Sequence, residues 1–117
     1  MISIGPATRI FLAPGATDMR KGFEGLVSLV RHRLEVDPLS GHLFVFCNRR
    51  RSRIKILYWD GSGLWLCTKR LEKGTFQWPS QKEDGCRLSI DTQQLTLLLG
   101  GIDIENTKYR NWWRWAA

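Results

Sequence analysis

The sequence predicts an α+β fold: an antiparallel meander sheet of about four to five strands with two helices packed on one face. Three observations predict it. Two segments, one near each end of the chain, repeat apolar residues at helical spacing. Between them, the stretch from Leu43 to Trp78 breaks into short apolar runs separated by turn signals. The 117 residues, 43% hydrophobic and 25% charged, suit one globular domain.

The elements follow in order. Arg9 to Ala13 reads as a short strand ended by Pro14-Gly15. Thr17 and Asp18 then offer an N-cap, and Asp18 suits the positive end of a helix. Met19, Phe23, Leu26, Val27, Val30 and Leu34 share one helical face. Gly22 and Gly25 cost helix propensity and predict another backbone packed close to the first turns. Asp37-Pro38 ends this helix, and Ser40-Gly41 completes a turn.

Leu43 to Cys47 is a dense apolar run and the first strand of the meander. Arg53 to Trp59 follows, and its start alternates Arg53 and Lys55 with Ile54 and Ile56. That pattern predicts a half-buried strand whose outer face is basic, presenting Arg53, Lys55 and Lys69 to a partner. Asp60 to Gly63 is a strong turn signal, Leu64 to Arg70 the next strand, and Thr75 to Trp78 a last one closed by Pro79. Arg87 to Ile90 reads as a further short strand. Asp91 caps the second helix, with Gln94 placed for a capping box. Leu95, Leu98, Leu99 and Ile102 form its apolar face, and Gly100-Gly101 ends it. Residues 1–104 are expected to form the domain, and residues 105–117 a Trp-rich C-terminal tail.

The net charge of +7 bears on partners rather than fold. Eight basic residues lie between His42 and Trp78: Arg49, Arg50, Arg51, Arg53, Lys55, Lys69, Arg70 and Lys73. Only Asp60 and Glu72 oppose them, so this third of the chain carries +6 of the total. Arg49, Arg50, Arg51 and Arg53 fall in a hairpin loop, where guanidiniums can grip phosphates or read a guanine edge. The competing readings are a solvated hairpin tip and a dock for an acidic protein surface.

Other chemistries find little support. No apolar run is long enough to span a membrane, and the N-terminus lacks the order of a signal peptide, so a cytoplasmic protein is expected. Cys47, Cys67 and Cys86 are odd in number and widely spaced; Cys47 and Cys67 read as small buried hydrophobes. No Cys-x-x-Cys or His-x-x-x-His pair suggests a metal, and no glycine-rich loop carries the Lys of a phosphate-binding loop. Asp18, Asp37, Asp60, Asp91 and Asp103 each have a structural role as cap or turn residue, so neither catalysis nor a cofactor is expected. Trp59, Trp65 and Trp78 sit at strand positions and read as core. Trp112, Trp113 and Trp115 read as packing or interface residues before nucleobase stackers.

The run from Phe11 to Leu26 resembles the opening motif of the TnpB-type proteins of the insertion sequence sixty-six family, products of the element's second open reading frame. The match continues through Asp37–Phe46 and Asn48–Gly61, and closes with Lys69–Pro79. The four long motifs stand in the family's order, and the resemblance covers about Ile4 to Ile104. The tail from Glu105 departs from the basic, proline-containing ends of that family. The resemblance implies a non-catalytic accessory role in transposition, alongside a separate catalytic transposase and another element-encoded protein. Two functions remain open on this reading: a DNA-binding subunit, or an adaptor that bridges the element's other proteins without touching DNA.

Overall fold

Leu43–Cys47 contains no polar residue, and all five positions of this strand are buried. The alternation of side chains then requires cover on both sides of the sheet. The computed structural model describes residues 5, 7–80 and 86–101, together with the backbone of residues 114 and 115. Its elements are β1 (Ile10–Leu12), α1 (Phe23–Leu29), a π-helical turn (Val30–Leu34), β2 (Leu43–Cys47), β3 (Arg53–Trp59), β4 (Leu64–Arg70), β5 (Leu88–Ile90), α2 (Thr92–Leu99) and β6 (Arg114–Trp115). They build one mixed sheet in the order β4-β3-β2-β1-β5-β6.

The α+β class and the β2-β3-β4 meander are as expected, and those three strands keep the expected bounds. The pairing is not antiparallel throughout. β1 lies parallel to β2, with Ile10 opposite Leu43, and antiparallel to β5. The cause is the helix between β1 and β2: it carries the chain back across the sheet, so β2 starts at the same end as β1.

The helices also differ from expectation, lying on opposite faces. Leu26, Val30 and Leu34 pack with Phe11, Phe44, Phe46 and Leu57. Leu95 and Leu98 pack with Ile10, Leu12, Val45, Ile54 and Ile56. Neighbours along β1 and β2 thus divide between the two clusters, as the strand period dictates. This two-sided cover buries β2 completely.

Several local expectations shift. The first helix starts at Phe23, not after Asp18; its N-cap is Gly22, with no side-chain cap bond. Asp18 instead closes a turn, accepting the Arg20 backbone N–H at 2.9 Å and pairing with its guanidinium. Among the described residues no foreign backbone crowds the two glycines: none comes within 4 Å of the Cβ position of Gly22, and Lys21's side chain alone nears that of Gly25. Thr75–Trp78 joins no ladder among the described residues, although Phe76 and Trp78 are buried. Their backbone crosses the end of the sheet, where Phe76 N–H bonds to the Arg51 carbonyl at 2.7 Å. The second helix has the expected capping box, with reciprocal bonds between Asp91 and Gln94 at 2.8 and 2.9 Å. Ile102 lies outside the described residues.

Candidate nucleic-acid interface

The β2–β3 turn is built by Asn48. Its Oδ1 accepts the backbone N–H groups of Ser52 and Arg53 at 2.9 and 3.0 Å. Its own carbonyl accepts the Arg51 N–H at 3.1 Å. An Asn heading a turn in this way replaces the ladder bonds that the loop cannot make. Arg51 takes a left-handed backbone, φ 58°. That conformation is uncommon for a non-glycine residue and is held here from both sides. Phe76 bonds to the Arg51 carbonyl, and Leu71 N–H to that of Ser52 at 2.8 Å.

This frame leaves Arg49, Arg50, Arg51 and Arg53 exposed at one end of the sheet. Arg53 stands directly opposite Arg70 across β3 and β4. Like charges in that relation repel, which is a cost the fold bears at this end. Arg70 pairs with Glu72 at 3.2 Å, but both side chains are well exposed, so the pair offsets little. Lys73 is exposed in the turn that follows. Beside the loop lies a cleft of about 180 Å³. Asn48, Arg49 and Arg51 form one wall, and Gly15, Ala16 and the Trp78–Ser80 segment form the other. Trp78 fixes that far wall, donating Nε1–H to the carbonyls of Ala13 and Gly15 at 3.1 and 2.9 Å.

The eight basic candidates therefore divide. Six lie together at the hairpin end. Lys55 reaches across the α1 side instead, and its ammonium donates to the carbonyls of Met19 and Lys21 at 2.7 and 2.9 Å. Lys69 points to the other face of the sheet and donates to the Leu99 carbonyl at 2.6 Å, in the last turn of α2. Two cations beyond the segment act similarly: Arg33 donates to the Pro14 carbonyl, and Arg87 to that of Leu34. Sequence reasoning missed Asn48 and the Gly15–Ala16 and Trp78–Ser80 walls. An Asn directly before an arginine run was the available signal for the first; the walls come from distant segments and left none.

The described aspartates cap a helix or close turns. Asp60 accepts from the N–H groups of Ser62 and Gly63 and from Trp65 Nε1, and these bonds hold its carboxyl well below the usual range. Asp37 accepts from Leu39 N–H. Asp103 lies outside the described residues. Among the described residues no group of three or more His, Cys, Asp or Glu could hold a metal ion. Burial pushes the Cys47 thiol up to about 12, so it is inert at neutral pH. Cys67, expected to be buried, is exposed, and Trp65, expected in the core, is 43% exposed. Both lie on β4, which ends the sheet. Trp78 is buried as expected. Of the Trp-rich tail, only the backbone of Arg114 and Trp115 is described; it pairs with β5. No helix among the described residues is long and apolar enough to cross a membrane.

A small mixed-sheet α+β domain, helix-covered on both faces and cationic at one hairpin end, is the class these features define. The chain belongs to the family of IS66 Orf2 like proteins, whose profile matches residues 8–109. That membership makes it an insertion-sequence-associated accessory protein. Two relatives come from Sinorhizobium fredii (strain NBRC 101917 / NGR234). The uncharacterized protein y4hO is 45% identical over 103 residues, covering 88% of each chain. The uncharacterized protein y4jC is 41% identical over 107 residues, covering 90% of each. No solved structure matches the chain.

Proposed function

We propose that the chain is a DNA-binding accessory subunit of transposition, acting in the cytoplasm with a separate catalytic transposase. Its hairpin end grips phosphates near the element's ends. The observation that carries this reading is the facing pair Arg53 and Arg70, set beside the exposed Arg49, Arg50 and Arg51. Among described residues, Glu72 is the one acidic side chain bonded to any of them. A polyanion relieves that repulsion and gains several charge-assisted bonds at once. In this reading Arg49, Arg50, Arg51, Arg53, Arg70 and Lys73 meet DNA, while Lys55 and Lys69 brace the two helical layers.

The test is binding to a labelled fragment of the element's terminal repeat, compared with scrambled DNA at several salt concentrations. Preference for the repeat makes the chain a reader of ends, and equal salt-sensitive binding makes it a general clamp. Absence of binding to either at moderate salt favours the second reading, an adaptor between the element's other proteins. One observation speaks for that alternative: Phe23, 47% exposed, lines an open groove with Val27 and Leu64.

A further inference from the structure

β4 ends the sheet, and no described strand pairs on its outer side. The bonds flanking the β3–β4 ladder fix which of its backbone groups are open. Leu71 N–H bonds to Ser52, and Asp60 N–H bonds to Gly63 at 3.0 Å. Hydrogen-bonded pairs alternate along an antiparallel ladder. In the observed register the bonded β4 residues are therefore Trp65, Cys67 and Lys69. The N–H and C=O groups of Leu64, Leu66, Thr68 and Arg70 point outward. Long open edges are normally blunted by charge, bulges or Pro. Here the first five residues, Leu64 to Thr68, carry no charge.

We propose that this edge pairs with the same edge of a second copy, antiparallel and with its two-fold axis at Cys67. That register alone uses all four outward-facing residues, pairing Leu66 with Thr68 and Leu64 with Arg70. Registers centred one pair to either side use three. It also places Lys69 opposite Trp65 and Arg70 opposite Leu64, so no like charges meet. The two Cys67 residues face each other in a non-hydrogen-bonded pair, whose Cα separation of about 4.5 Å lies within disulfide reach. A consequence, which rests on the DNA-binding reading where the dimer itself does not, concerns the arginine loops. Ser52 lies level with Leu71, so Arg51 sits five residues along the strand from the axis. At about 3.4 Å per residue the two Arg51 residues are roughly 34 Å apart along the strands. That is about one turn of B-form DNA.

Sedimentation equilibrium without DNA tests the dimer over a concentration series. The expected mass is twice the 13.6 kDa of the chain. Thr68→Pro removes an outward N–H without touching the β3 ladder, and Cys67→Glu sets two carboxylates face to face. Both variants are expected to remain folded by circular dichroism and to halve the mass. Mild copper-catalysed oxidation is expected to cross-link Cys67 to Cys67, leaving Cys47 and Cys86 reduced. A monomer at all concentrations, a dimer unmoved by both variants, or cross-linking through Cys86 instead overturns the proposal. Because no DNA is present, none of these results depends on the nucleic-acid reading.

Discussion

Asn48 and Ser52 are bonded to each other twice: the Asn48 Oδ1 accepts the Ser52 backbone N–H at 2.9 Å, and its Nδ2 donates to the Ser52 hydroxyl at 3.1 Å. The three arginines between them are thereby held in one loop geometry, while their guanidiniums stay in solvent. Preorganising a loop lowers the ordering cost of binding. Asn48→Ala is expected to lower stability by about 1–3 kcal/mol, since the half-buried Ser52 N–H and the exposed Arg53 N–H lose their acceptor. It should weaken DNA binding several-fold yet leave the salt slope unchanged, because no charge is removed. Urea denaturation and a salt-titrated binding assay on one preparation measure both effects.

Lys55 and Arg50 are both cations of the basic segment, but the structure gives them different work. Lys55→Met removes two charge-assisted bonds that tie β3 to the chain preceding α1. A loss of about 2 kcal/mol is expected from that change. Arg50→Ala, at the exposed tip, should stay within about 0.5 kcal/mol of the parent. The converse is expected for DNA affinity, where Arg50→Ala weakens binding and Lys55→Met does so only through loss of folded protein. Comparing denaturation midpoints with binding curves separates the two roles.

His42 is expected to make stability fall on mild acidification. Burial, reinforced by the positive charge of Arg9, holds its pKa below the usual imidazole value. Its Nδ1 accepts the Arg9 backbone N–H at 3.0 Å, which a protonated ring cannot do. In the unfolded chain the imidazole titrates near 6.5, so there it takes up a proton first as pH falls. Its contribution is full above that value and is lost as pH drops through the lower folded one. The melting temperature of the parent is expected to fall between about pH 7 and pH 5. His42→Asn keeps an acceptor near the Nδ1 position and should flatten that decline; equal slopes for the two proteins would show that His42 is not the cause.

Much of this fold was legible in the residues. The strands Leu43–Cys47, Arg53–Trp59 and Leu64–Arg70 followed from apolar runs bounded by Asn48–Ser52 and by Asp60–Gly63. The Asp91–Gln94 capping box was equally plain, because its spacing is a local signature. Two further signs were present but point past local pattern. A helix between two adjacent strands implies a parallel pair. Five consecutive apolar residues in β2 imply cover on both faces, which places the helices on opposite sides. The exposure of Trp65 and Cys67 was not legible, since it depends on β4 being the sheet edge rather than on its own composition. The division of the basic residues was likewise hidden. Whether a lysine faces solvent or a carbonyl depends on where distant segments such as Met19–Lys21 and Leu99 come to lie.

If the hairpin arginines grip DNA, their removal must show in the salt dependence of affinity. The direct measurement compares the parent with the variant in which Arg49, Arg50, Arg51 and Arg53 are all changed to Ala. The slope of log affinity against log salt changes by about 0.9 for each phosphate no longer neutralised, so a flattening of up to about 3.6 is expected. Affinity at low salt should fall with it, while the denaturation midpoint remains close to that of the parent. An unchanged slope and affinity in a folded variant would contradict DNA binding through the hairpin and place the chain's role at its protein-facing surfaces.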